Sequence, residues 1–264
     1  MTKDKTQSGV ASHIQMPKLL LCRFENEKHF LAYYDVQKGI IGSNGHADSI
    51  NTEQGYYSKE AEQYWNSQIE GDFSRLLKQL DSINTDETGI HLPADFDFLT
   101  KKYLHSLFAR SPKAFKHIED KSVFLQFMNR TSQHDVASTT MYAIAQKDEY
   151  FKDWIPTLLI NKSEIPFILP TNGCYGFGHN GSEEQIVIPI HPQRAILLFQ
   201  PADAKMYVTS QTIKFGLIEK AEITKRMNLF AFETQKKLGY GYIVSNDKSI
   251  LQEAEEMYKR ETAV

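Results

Sequence analysis

The chain has 264 residues, 41% of them hydrophobic and 12% aromatic, which excludes a disordered composition and allows a core that needs no disulfide staples. Its 30 Lys and Arg against 33 Asp and Glu leave a net charge of -3, so the totals carry no electrostatic footprint for long-range capture of nucleic acid. Two cysteines, Cys22 and Cys174, lie far apart without CxxC spacing and read as reduced thiols, not as a disulfide framework or a zinc site.

The opening Met1–Gly9 is polar and lacks the apolar segment of a signal peptide. No apolar run approaches the ~18 residues of a membrane span. A cytoplasmic location with no membrane partner is the expectation. Residues 1–12 read as a mobile tail. The apolar runs Leu19–Phe24 and Phe30–Asp35, separated by charged Glu25–Lys28, predict a β-hairpin. Gly39–Gly55, with four glycines among Asn, Ser, Asp and Thr, predicts a long surface loop.

Over Lys59–Leu80 the residues Ala61, Trp65, Ile69, Phe73, Leu76 and Leu80 recur at spacings of three or four and predict an amphipathic helix. Phe96, Leu99, Tyr103 and Leu107 draw a second stripe. Ser111-Pro112 reads as a helix start, since serine caps free N–H groups and proline suits the first helical position. Phe115, Ile118 and Phe124–Met128 form its apolar face, and one more helix is expected in 135–152. Residues 58–152 are thus a block of about four helices.

Beyond Trp154 come short β-like runs: Thr157–Ile160, Pro166–Leu169, Gln185–Ile190, Ala195–Phe199 and Lys205–Thr209. An amphipathic segment follows over 211–237, then a strand in Gly239–Ser245 and a charged helix over Lys248–Arg260. The order of strands, helices and strands predicts an α+β fold: one domain over 1–264. Its mixed, largely antiparallel sheet is drawn from N- and C-terminal segments, and the helical subdomain is an insertion.

Several landmarks occur in a familiar order. His13-Ile-Gln-Met-Pro17 precedes Leu21 and Phe24; Tyr34-Asp35, Tyr56-Tyr57 and Ile69-Glu70 follow. Then come Phe108-Ala-Arg110-Ser-Pro112, Leu159-Ile-Asn161, Pro166-Phe167-Ile168 and Ile188-Pro189-Ile190-His191-Pro192. Over about residues 13–245 this resembles the bacterial family catalogued as domain of unknown function 4238. The chain departs from that pattern at Ile14, where the family has a second histidine. It departs again at Thr171, where the family has an aspartate, and at His191, where it has a turn serine. The family has no assigned activity, so the resemblance implies a fold and candidate positions, not chemistry.

His13 can serve as a general base or metal ligand, or can pin the incoming chain through a backbone hydrogen bond. Glu70 sits at the edge of a buried stripe, and Arg110 just before a helix start. They can form a structural ion pair, or Arg110 can grip a phosphate or carboxylate beside Glu70 and His13. Asn172, His191 and Tyr57 are candidate binding residues: two lie in the departing segments and one in an aromatic pair suited to stacking.

Gly176-Phe-Gly178-His-Asn-Gly181 matches GxGxxG, but a strand follows it where a dinucleotide site needs a helix, so it reads as a loop. Cys174, His179 and His191 match no zinc spacing, and no metal site is assigned. No cofactor is identified. The favoured function is an intracellular binding or regulatory protein, which a protein partner would suit. The alternative is a hydrolase acting on a phosphate-containing substrate, a nucleotide or nucleic acid, through His13, Glu70 and Arg110.

Overall fold

A computed structural model describes residues 11–13, 16–54, 59–84, 91–110, 151, 153–176, 185–199 and 215–263. The fold is α+β, and its strands divide between two principal sheets and a short ribbon. That division corrects the expectation of a single sheet.

The first sheet has the order β3-β2-β11-β6, formed by Ile40–Gly45 (β3), Leu31–Asp35 (β2), Tyr242–Ser245 (β11) and Leu169–Pro170 (β6), with all neighbours antiparallel. It joins N- and C-terminal segments as expected: Tyr34 faces Ile243 and Ala32 faces Ser245. The second sheet has the order β10-β5-β9-β8-β7. Its strands are Phe215–Ile218 (β10), Ile155–Asn161 (β5), Arg194–Phe199 (β9), Gln185–His191 (β8) and Tyr175–Gly176 (β7). Only β10 and β5 pair in parallel. In β5 every residue after Ile155 is buried, as suits a strand with neighbours on both edges. The ribbon pairs Ala11–His13 (β1) with Thr52–Gln54 (β4), so residues 11–12 are a strand and not part of a tail.

Three other local expectations are corrected. Leu19–Phe24 is not a strand: Lys18–Leu21 (α1) begins after Pro17 and runs into a 3₁₀ turn, Cys22–Phe24. A six-residue apolar run does not distinguish helix from strand, and Pro17 is the local sign of a helix start. Within the expected loop, β3 instead pairs with β2 across a turn in which Asp35 Oδ1 accepts from the Gln37 and Lys38 N–H groups at 3.1 and 3.0 Å. The segment 211–237 also divides: β10 precedes the helix Ala221–Leu238 (α5). The expected helix from Ser111-Pro112, the helix within 135–152 and the strand Lys205–Thr209 lie outside the described residues.

Helices Lys59–Tyr64 (α2) and Gly71–Asp81 (α3) form one rod interrupted by a π-helical stretch, Trp65–Glu70. Helix Phe96–Ala109 (α4) packs on α3, where Phe73 and Tyr103 stack with ring centroids 3.7 Å apart, and on β5 of the second sheet. The closing helix Lys248–Thr262 (α6) lies on β2, β3 and β11, and Asp247 caps it by accepting from Ser249 N–H at 2.8 Å.

Helix α5 touches β6 and β11 of one sheet and β7 and β10 of the other. Along it the chain crosses from β5 to β6 as a partly buried irregular segment, whose inward backbone groups need partners. Three buried polar residues of α5 supply them. Thr224 bonds Asn161 and Ser163 at 3.2 and 3.0 Å. Asn228 accepts from Ile168 N–H at 3.1 Å and donates to Pro166 C=O at 2.8 Å. Gln235 accepts from Asn172 N–H at 3.1 Å and donates to Tyr240 C=O at 2.7 Å. This polar stripe stitches the crossover to the helix and so couples the two sheets.

Candidate functional site

Glu70 and Arg110 come together. Glu70 ends the π-helical stretch, in which Gly71 N–H reaches back five residues to the Asn66 carbonyl. Arg110 closes α4. Arg110 Nη1 donates to Glu70 Oε1 at 2.8 Å, and its guanidinium lies 5.0 Å from the Trp65 ring centroid. The arginine side chain is 3% exposed and the glutamate 18%. The Tyr103 hydroxyl shares this environment; burial pushes its phenol well above the ordinary value despite the opposing pull of the Arg110 charge. The pair braces the α2–α3 rod against α4.

The imidazole of His13 has a different partner: Nε2 donates to the Ala47 carbonyl at 2.7 Å, tying the ribbon to the turn after β3. Asn172 is buried and joined to α5 through its backbone N–H, while its side-chain Oδ1 has no partner among the described residues. Thr171 stands where the resemblance expects an aspartate. Its hydroxyl accepts from Tyr242 N–H at 2.9 Å, joining β6 to β11. Tyr57, His179 and the glycine-rich run beyond Gly176 lie outside the described residues. Among the described residues no three His, Cys, Asp or Glu side chains gather where a metal ion would sit. No helix among them is long and apolar enough to cross a membrane.

His191 opens a second locality. It ends β8, and Arg194 opens β9 directly opposite it across the turn Pro192-Gln193. Pro189 cannot donate to the ladder, and the β8–β9 register shifts between Pro189 and His191. A bulge there re-aims the residues beyond it. His191, Gln193 and Arg194 line an open cleft of about 490 Å³ together with Arg23 from the 3₁₀ turn and Asp81 from the end of α3.

The cleft is held by charge and by backbone contacts. Arg23 Nη1 and Nη2 donate to Asp81 Oδ2 and Oδ1 at 2.7 and 2.6 Å, a bidentate fork. The Nε of Arg23 donates to the Ile190 carbonyl. Arg194 donates to the Leu80 and Ile83 carbonyls, capping the free end of α3, and its Nη1 lies 3.8 Å from Asp81 Oδ1. Both arginine side chains are 17% exposed and Asp81 is 43% exposed. Burial pushes the Asp81 carboxyl up, but the Arg23 hydrogen bonds and the positive charges around it prevail and hold it below its ordinary value.

His191 Nδ1 accepts from Gln193 N–H at 3.0 Å, so in the neutral imidazole the proton sits on Nε2 as a donor. Burial, then the Arg23 charge, push this histidine below its ordinary value; Arg194 adds to that push and Asp81 opposes it. The cleft thus offers two anchored guanidinium groups and a neutral N–H donor against a single carboxylate.

Of these five residues, sequence reasoning singled out His191 alone. Weak signals existed for the others: Arg23 interrupts an apolar run, Arg194 opens one, and Asp81 puts a negative charge at a helix C-terminus, where the dipole disfavours it. No family model matches the chain, and neither a curated protein nor a solved structure matches it.

Proposed function

We propose that the protein acts in the cytoplasm of a bacterium as a binding or regulatory protein, whose ligand enters the cleft between the end of α3 and the β8–β9 turn. The observation that carries this reading is the cleft itself: an open concavity whose two guanidinium groups are anchored to backbone carbonyls. The disposition of the other candidates supports binding over hydrolysis. Glu70 is engaged by the buried Arg110, His13 is engaged by a carbonyl, and Thr171 acts as a strand joint where the resembled family has an acid.

A thermal-shift screen of wild type and His191→Leu against anionic, neutral and cationic metabolites tests it. A ligand that binds only the folded state raises the melting temperature by mass action. Ligands that stabilise wild type but not the variant support the reading; a panel with no such ligand overturns it. Turnover of bis(p-nitrophenyl) phosphate that disappears in a folded Arg110→Ala variant would favour the hydrolase instead.

A further inference from the structure

We propose that the cleft binds an oxyanion, of the phosphate or carboxylate class, between Arg23, Arg194 and His191 Nε2–H, and that Asp81 is an internal carboxylate displaced by it. The inference rests on the binding reading above and deepens it by naming the ligand class.

The geometry separates what stays from what moves. Each guanidinium is fixed by the backbone independently of Asp81: Arg23 through its Nε to Ile190, Arg194 through bonds to Leu80 and Ile83. Removing the carboxylate leaves both arginines in place, and preorganised donors lose less freedom on binding. Asp81 is the most solvent-exposed member of its ion pairs and lies at the last residue of α3, so its side chain can turn to water at small cost. The fork that it occupies is the arrangement by which arginine recognises phosphate or carboxylate. A ligand oxyanion replaces like with like there, and Arg194 and His191 line the same cleft beside it.

With His191 neutral, two guanidinium charges face one carboxylate, so the cleft carries one unit of excess positive charge before any ligand binds. An oxyanion removes that excess, and its attraction weakens as salt rises.

Calorimetric titration with inorganic phosphate, and separately with acetate, at low ionic strength tests the proposal on wild type, Asp81→Asn and His191→Leu. Removing the internal competitor should tighten binding about tenfold in Asp81→Asn, and removing the donor should weaken it in His191→Leu. Tightening for phosphate identifies a phosphate-bearing ligand; tightening for acetate alone identifies a carboxylate. Equal or weaker binding by Asp81→Asn than by wild type overturns the displacement. Should neither anion bind any folded variant, the oxyanion class falls, while the binding reading falls only if the thermal-shift panel is also blank. If Asp81→Asn does not fold, the arginine side-chain N–H resonances of wild type decide. Saturable shifts on phosphate or acetate addition support the proposal, and unmoved resonances overturn it.

Discussion

Arg23 grips both oxygens of Asp81 across 58 residues of sequence, tying the 3₁₀ turn that precedes β2 to the far end of α3. The two side chains lie at the rim of the cleft, and Asp81 is 43% exposed, so solvent screens the pair. A double-mutant cycle with Arg23→Gln and Asp81→Asn should return a coupling energy of about 0.5–1 kcal/mol in chemical unfolding. Added salt should shrink it. A coupling that salt leaves unchanged would contradict a solvent-screened pair.

The Glu70–Arg110 pair should behave differently, because its cation is 3% exposed. Glu70→Gln strands a buried guanidinium charge and should cost up to about 3 kcal/mol. Arg110→Met keeps a long side chain over Trp65, and combined with Glu70→Gln it should cost less than Glu70→Gln alone. Urea unfolding of the three variants checks that order.

Asn228→Leu should be among the more destabilising changes in α5 despite preserving volume and adding apolar character. It strands the Ile168 N–H and the Pro166 C=O, both tied to this one amide. The expected loss is about 2–4 kcal/mol. Hydrogen exchange at the Ile168 amide should accelerate in parallel; unchanged exchange would count against the stitching role of the helix.

Gly241 and Gly239 make an internal comparison, with φ of 75° and 78°. Alanine at Gly239 meets nothing within 4 Å and should cost about 1 kcal/mol for backbone strain alone. Alanine at Gly241 puts its Cβ 2.5 Å from Thr171 Oγ1, which already receives the Tyr242 N–H, and should cost about 1–3 kcal/mol more. Melting temperatures of the two variants should fall in that order.

Stability should fall as pH drops below about 6.5. The folded pKa of His191 is lowered, so just below the ordinary histidine value the unfolded chain takes up a proton there that the folded chain does not. Protonation thus favours unfolding, and the stability is restored as pH rises through 6.5. His191→Gln should flatten this slope in unfolding curves between pH 7.5 and pH 5.5. Asp35 and Asp81 act lower: their folded pKa values are depressed, so the stability they give above 3.8 is lost as pH falls through the folded values.

The elements visible in the sequence were those whose pattern is long and local. The stripe from Trp65 to Leu80, the Phe96–Leu107 stripe and the runs of β5, β8 and β9 all stand where periodicity put them, as does the closing helix. The π-helical stretch left no trace in that periodicity, because Trp65 and Ile69 still face inward across it. Phe215–Ile218 merged with the following helix because four residues cannot establish a period of two against about five turns of amphipathic pattern. The division into two sheets was hidden for another reason: pairing is decided by which buried edges meet in space. The pairing of Glu70 with Arg110 was legible because both flank apolar stripes. The cleft was not, since Arg194 and the Leu80 carbonyl that it caps are 114 residues apart.

The pairing of β2 with β11 has a consequence for synthesis. Tyr34 leaves the ribosome 209 residues before its ladder partner Ile243. At ordinary translation speed the inner edge of β2 waits on the order of ten seconds for its neighbour. During that interval β2 and β3 form a hairpin with one unpaired edge, the kind of surface that recruits foreign strands. The nascent chain is therefore most exposed to misassociation before residues 242–245 emerge, and a chaperone that shields that edge would raise the yield without touching the finished molecule.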